Sequence, residues 1–243
     1  MESVETREPE GVGEAFSVDG MLLARQKTRK AIHTIAKRIA PGMREKDAVI
    51  VARDVIKRSG MEGTWHPTRV RFGRNTIKAM REPSDGDVVL GENDIFFIDI
   101  APKLGKWEGD GGATFIVGRG QPQYHRCAQD AERLFHEIRR IWREKRLSGS
   151  VLYLRAYDIA KAMGWDLNPD LPGHRISDFP HAAIHDGSLA EFTKTPADMR
   201  WVLEIHLLDP HRRFGAFYED MLLHDSYYQW AAQTTGGVLL DKM

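Results

Sequence analysis

Four acids stand where a charge is costly to place. Asp99 falls near the end of the apolar run Ile95–Ile100, and Asp110 opens the next β-rich run, with ten residues between them. Glu204 lies within the alternating stretch Trp201–Leu208, and Glu219 in the run that follows, with fourteen residues between. A carboxylate in an apolar strand is unfavourable to bury without a partner. A regular hairpin centred on Leu104-Gly105 makes Asp99 face Asp110, and one centred on His211-Arg212 makes Glu204 face Glu219. Directly opposed residues have Cβ atoms about 4.5–5.5 Å apart. Carboxylates that close repel unless one is protonated or a cation sits between them. Six of the ten histidines (His174, His181, His185, His206, His211 and His224) fall in the last 70 residues. In LPGHRISDFPH, Pro172-Gly173 leads into His174, and His181 follows seven residues later. Four carboxylates and one imidazole make a site for two divalent cations, with a donor set that suits Mn, Fe, Co or Zn.

The elements that must position these residues read as follows. A helical pattern begins at Met21, runs through Ile32, Ile35 and Ile39, and stops at Pro41-Gly42. A second helix is expected over Glu45–Ser59, ending at Gly60, and Val70 and Phe72 suggest a short strand. Ile95–Ile100 and Ala113–Val117 form a hairpin or meander around Pro102, Gly105 and Gly109. A long helix then carries Ala131, Leu134, Phe135, Ile138 and Trp142 on one face, and a fourth covers Ser150–Met163. The last third returns to strands at Trp201–Leu208 and Ala216–His224. Helix, helix, hairpin thus occurs twice, which predicts a pseudo-two-fold α+β domain rather than a βαβ parallel sheet. Residues 1–18 read as a flexible polar leader and 19–243 as one domain.

Composition narrows the function. The 243 residues carry 35 Lys+Arg against 35 Asp+Glu, a net charge of zero. Nucleic acid and anionic membrane are disfavoured as partners, since both select a basic excess. No apolar run reaches the roughly 18 residues of a membrane span, and the acidic N-terminus has no apolar core of a secretory signal. A single cysteine, Cys127, makes no intrachain disulfide and points to a reducing, cytoplasmic setting.

From about Asp19 to His224 the chain resembles the M24 metallopeptidase family, the pita-bread fold of methionine aminopeptidase, aminopeptidase P, prolidase and creatinase. FIDIAPKLGKWEGDGGATFIVG resembles the family's double-Asp segment, PGHRISDFPH its segment with two histidines, and WVLEIHLLDP and FGAFYEDMLL its two Glu strands. The resemblance implies a curved antiparallel sheet and two bound divalent metal ions. Asp99 would hold one metal, Asp110 and Glu219 would bridge both, and His174 and Glu204 would complete the second. It also implies a metal-bridging hydroxide as nucleophile, Glu204 as proton shuttle, and His181 as donor to the substrate carbonyl or its tetrahedral successor. The expected activity is hydrolysis of a C–N bond in a small peptide or small amide, like an aminopeptidase or Xaa-Pro peptidase. The alternatives are a non-peptidase enzyme on the same fold, such as a creatinase-like hydrolase or a lyase, and an inactive binding module.

The chain departs from the family pattern in two places. Proteolytic members carry a histidine shortly before the first metal Asp, but Asn75–Pro83 has none. His66, in GTWHPTRV, is the nearest upstream and is the candidate substrate-binding residue, with Trp65 as part of a substrate wall. Proline-specific members carry Arg two residues before the last Glu, where this chain has Phe217. The length leaves no room for the additional N-terminal domain of prolidase-like relatives. Arg69 and Arg71 alternate around Val70 as a solvated strand face, with recognition of a substrate carboxylate as the other reading. Arg139–Arg146 reads as the wet face of a helix, Asp178 as a turn residue, and Glu219 and Asp220 must point to opposite faces of their strand. A homodimer is compatible with the family and with Tyr227, Tyr228 and Trp230.

Overall fold

The structure is a computed structural model, and it describes residues 8–228. In chain order it contains α1 (Val18–Ala36), α2 (Glu45–Arg58), β1 (Arg69–Phe72), β2 (Ile95–Ile100), β3 (Lys103–Leu104), β4 (Trp107–Glu108) and β5 (Gly111–Ile116). There follow α3 (Pro122–Lys145), α4 (Gly149–Ala162), β6 (Asp166–Leu167), β7 (His174–Arg175), β8 (Trp201–Leu208) and β9 (Gly215–Met221). The doubled order of helix, helix, hairpin expected from the sequence is present. Local chemistry sets the helix ends: the Ser17 side chain accepts from Gly20 N at the start of α1, Pro122 opens α3, and Arg146 closes it in a left-handed conformation with φ 51°.

The main sheet has seven strands in the order β1-β2-β5-β9-β8-β6, with β7 also paired to β8. Every pairing in it is antiparallel. The two halves join where β5 meets β9, through the Gly112–Glu219 pair. Strand alternation then divides the labour. Phe96, Ile98 and Ile100 on β2, Leu203, Ile205 and Leu207 on β8, and Ala216 and Tyr218 on β9 share one core cluster with Ile32, Leu134 and Phe135 of the helices. Asp99, Glu204 and Glu219 occupy the alternate positions, so they lie on the sheet face away from those helices. One face of the sheet builds the core and the other carries the acids.

Two registers test the sequence reading. Glu204 pairs directly with Glu219, so the second hairpin is centred on His211-Arg212 as expected. The first hairpin differs, since Asp99 pairs with Gly112 rather than Asp110. The small ribbon β3–β4 pairs Leu104 with Trp107 and so turns at Gly105-Lys106, one residue later than expected. Gly105 has φ +59°, and the absence of a side chain there permits that turn. Asp110 consequently lies just before β5 rather than within the ladder.

Two expectations for arginines need correction. Arg71 is not on a solvated face: it is only 2% exposed and donates to Ser84 Oγ and to the carbonyls of Ala79 and Glu82. Arg139, within the basic run of α3, is also buried and reaches the Leu223 carbonyl at 2.7 Å. Both guanidiniums are satisfied by backbone carbonyls rather than by water.

The described part of the acidic leader runs against β7 and its neighbours. Asp178 accepts from Gly13 N (2.7 Å) and Ala15 N (3.1 Å), Glu10 accepts from the Trp201 indole (2.6 Å), and Arg175 donates to the carbonyls of Pro9 and Gly11. Among the described residues no helix is long and apolar enough to cross a membrane. Of the aromatics considered for a dimer contact, Trp230 lies outside the described residues, and Tyr228 packs on Arg25 and Arg139.

Candidate metal centre

The acids of the two hairpins meet over a glycine. Gly112 pairs with Asp99 on one side and with Glu219 on the other. A Cβ at Gly112 would lie 2.4 Å from the Phe217 ring and 3.0 Å from Glu219 Oε1, so a side chain there would push the two acids apart. Without it, the Asp99 and Glu219 carboxyls come within hydrogen-bonding reach of each other. Glu204 enters from the paired position on β8, with its Oε2 accepting from Gly173 N at 2.8 Å. Gly173 adopts φ +69°, and a Cβ there would lie 2.7 Å from the Val202 carbonyl and 2.8 Å from Tyr153 Oη. The Pro-Gly approach noted in the sequence therefore both aims His174 and supplies a donor to Glu204.

His174 Nε2 lies 3.0 Å from Asp110 Oδ2, while its Nδ1 sits 2.7 Å from the Arg175 carbonyl. That carbonyl can only accept, so Nδ1 carries a proton, and Nε2 is the nitrogen turned towards Asp110, able to donate to it or, once deprotonated, to bind a cation beside it. His66 stands on the other side, with Nε2 3.6 Å from Asp99 Oδ1 and 3.5 Å from Asp110 Oδ1. Two trios of possible ligand atoms result, His66–Asp99–Asp110 and Asp110–His174–Glu219, each spanning no more than 4.8 Å and sharing Asp110.

The charges here are not balanced by the protein. Burial pushes Asp99 up to about 7 against the pull of His66, and the neighbouring acids Asp110 and Glu204 act in the same upward direction. Burial followed by Asp110 and Asp99 drives Glu219 well above the carboxylate range, and burial raises Glu204 despite His174 beside it. Asp110 goes the other way: burial acts upward on it too, but His174 and His66 hold it below its ordinary value. Burial pushes both imidazoles down, yet the carboxylates reverse this and carry each up to about 9. The site as a whole attracts positive charge. Three of its buried oxygens, Asp99 Oδ1, Asp110 Oδ2 and Glu219 Oε1, find no hydrogen-bond donor outside the site's own imidazoles. Buried acceptors without donors are rare, and unpaired carboxylate oxygens in a group are what cation ligands present. The residues present therefore fit two divalent cations.

The remaining singled-out residues fall into place around this group. His181 stacks against His174 with ring centroids 6.0 Å apart. Trp65 packs edge-on against His66, His174 and His181, at 4.6, 5.1 and 4.8 Å. Phe217 is fully buried beside Phe97 and His206. The sequence reading missed Glu108. It is 1% exposed, its Oε2 lies 2.7 Å from His181 Nδ1, and it also accepts from the backbone N–H groups of His181 and Ser177. The only sequence signal was an acid two places before Asp110, which reads equally as a solvated turn residue.

Comparison with known proteins agrees with the geometry. The model of metallopeptidase family M24 matches residues 19–226. Methionine aminopeptidase 2 of Bacillus subtilis (strain 168) is 24% identical over 155 residues, 60% of this chain and 60% of that protein. Among solved structures, the prolidase from Pyrococcus furiosus superposes with a TM-score of 0.67 at 17% identity, covering 87% of this chain and 62% of that one. A methionine aminopeptidase from Thermotoga maritima gives 0.66 at 13% identity, covering 88% of this chain and 96% of that one. The chain thus spans about three fifths of the length of the curated relative and of the prolidase. The structural likenesses show the fold, the pita-bread arrangement expected above.

Proposed function

This chain belongs to metallopeptidase family M24, and on that premise we propose that it is a two-metal hydrolase of peptide or small-amide C–N bonds, similar to the aminopeptidases and Xaa-Pro peptidases. The observation that carries the reading is the pair of overlapping ligand trios that share Asp110, set among buried carboxylate oxygens without donors. Asp99, Asp110, His174, Glu204 and Glu219 would hold the cations. Two divalent ions bound there supply Lewis acidity, acidifying a bound water and polarising the scissile carbonyl.

The chain's own residues do the rest. Gly173 N fixes one oxygen of Glu204 and leaves the other to take up and return a proton. Glu108 accepts from His181 Nδ1, which sets the ring's orientation. With Nδ1 held on Glu108, His181 presents Nε2 to the oxygen that gains charge as the carbonyl is attacked. Trp65 encloses the three imidazoles on one side and excludes water from them. An apolar group, Ala79, Phe97, Leu171 and Phe217, packs beside the acids, and Phe97 and Phe217 share the acids' face of the sheet. That wall suits an apolar substrate side chain and supplies no cation for a substrate carboxylate.

The test is a turnover screen of the protein reconstituted with Mn, Fe, Co or Zn. The panel contains dipeptides and tripeptides, including Met- and Xaa-Pro substrates, together with small amides, amidines and ureas. The reading expects peptide or amide cleavage that a chelator abolishes and added metal restores. Cleavage that ignores the chelator, or none across the panel from protein holding two cations, overturns it.

A further inference from the structure

The five residues assigned by resemblance give one imidazole, His174, to one cation position and none to the other. The structure contains a second imidazole at the position that lacks one. We propose that His66 is a sixth protein ligand, which binds through Nε2 the cation held by Asp99 and Asp110. The proposal rests on the two-metal reading above and extends it.

Four observations carry it. First, His66 Nε2 is 3.6 Å from Asp99 Oδ1 and 3.5 Å from Asp110 Oδ1. These separations exceed the 2.7–3.2 Å of an N–H···O bond. They match the edge between two ligands each about 2.1 Å from one cation at a near-tetrahedral angle, about 3.4 Å. Second, His66 Nδ1 lies 3.1 Å from the Pro67 carbonyl. As an acceptor, that carbonyl holds the proton on Nδ1 and leaves Nε2 facing the carboxylates, the nitrogen that exchanges its proton for a cation. His174 is built the same way, with Nδ1 on the Arg175 carbonyl. A backbone carbonyl at the far nitrogen is the usual way a protein sets the tautomer of a metal-binding histidine. Third, Asp99 Oδ1, the atom His66 faces, has no hydrogen-bond donor. Once Nε2 gives up its proton, two acceptors face each other in a buried place, and a cation between them satisfies both. Fourth, the loop is pinned to the hairpin that carries both acids: Trp65 N donates to Ala101 O (3.0 Å) and its indole to Gly109 O (2.9 Å). His66 is therefore placed by the same backbone that places its partners.

A donor set of two imidazoles and four carboxylates has a chemical consequence. Each added imidazole shifts preference from Mn towards Zn, Co and Fe. His66 thus tunes metal choice as well as affinity.

The experiment is titration of the chelated full-length protein with Zn(II) and with Mn(II), by calorimetry and elemental analysis, for wild type, His66→Ala and His66→Gln. Wild type should bind two Zn(II) per chain. Both variants should keep one tight site and weaken the other at least about tenfold, the lower end of what even outer partners of metal ligands are worth. Their loss for Mn(II) should be smaller than for Zn(II). In wild-type protein carrying 15N-labelled histidine, Zn(II) should move two imidazoles, not one, to the metal-bound form with the proton on Nδ1. That measurement needs no variant to fold, and His66→Gln assigns the second signal. Two Zn(II) bound with unchanged affinity by the variants, or a single shifted imidazole in wild type with two Zn(II) bound, overturns the role of His66 and leaves the two-metal reading standing. Wild type that binds no metal overturns both.

Discussion

Glu219 and Asp220 are neighbours on β9, both buried to 1% exposure, and the fold treats them in opposite ways. Asp220 points to the helix face, where Arg25 makes two bonds to it of 2.7 and 2.6 Å and Arg29 stands 3.9 Å away. Burial acts to raise it, but the two guanidiniums hold its carboxyl below the usual range. Glu219 points to the other face, meets three further acids, and is driven well above that range. One residue along a strand separates a carboxylate matched by the protein from one left for something else to match. The difference separates structural from functional charge: the first arrives with its counter-ion, and the second is held unpaired by glycines and by a ring of like charge. Holding it so costs stability, as function-bearing groups commonly do.

Substitutions at these two positions should therefore separate activity from stability. The largest effect is expected for Glu219→Gln, which should lower turnover by about a thousandfold or more, the several kcal/mol that Lewis-acid stabilisation supplies. Its chelated form should unfold at the same or higher denaturant, because one charge has left an acidic cluster. Kinetics and urea melts on the same preparation check both halves. Asp220→Asn should do the reverse, costing about 3–5 kcal/mol of stability by leaving buried guanidiniums unmatched, while the folded fraction keeps turnover within about tenfold. Equal stability loss in the two variants would break the comparison.

Metal should sharpen it. At a hundred to a thousand times its Kd, a cation that binds only the folded chain stabilises it by about 2.7–4.1 kcal/mol. Wild type and Asp220→Asn should show this rise in thermal melts, and Glu219→Gln should show much less.

The smallest effect concerns His206, on the acid face of β8. Burial pushes its imidazole down to about 4, and it is held neutral between Thr76 O at 2.7 Å and Asn168 Nδ2 at 3.1 Å. Above the free-imidazole value of 6.5 both folded and unfolded chains are neutral here. As pH falls from 6.5 to 4 the unfolded chain takes a proton that the folded one refuses, so stability is lost across that window, by at most about 3 kcal/mol. Urea melts between pH 7 and 4 should show that slope reduced in His206→Gln, whereas a slope carried by the metal-site acids alone would leave it unchanged.

The sequence showed much of this. Apolar spacing predicted the four main helices to within a few residues at their ends, because each buries one stripe against one sheet. The β8–β9 register was legible because its turn is short and the alternation on both sides is strict. The β2–β5 register was not, since a one-residue shift of the turn to Gly105-Lys106 leaves the hydrophobic pattern intact while sliding every partner. Arg71 and Arg139 looked solvent-facing because no local pattern shows that distant carbonyls await a donor. Glu108 and the placement of His66 beside Asp99 were invisible for the same reason: they depend on where the Ser177–His181 segment and the Thr64–Pro67 loop meet the hairpin, which is a tertiary fact. The five acid and imidazole positions were proposed from resemblance and order, and the fold brings them to one place.

The central claim, that the unpaired acids of the sheet's outer face are held for cations and the paired acid behind them is not, is tested most directly by anomalous diffraction from crystals loaded with Mn(II) or Zn(II). The account predicts two anomalous peaks enclosed by Asp99, Asp110, His174, Glu204 and Glu219, and none beside Asp220. Crystals with no peak among those five residues, from protein shown to have been exposed to saturating metal, would contradict it.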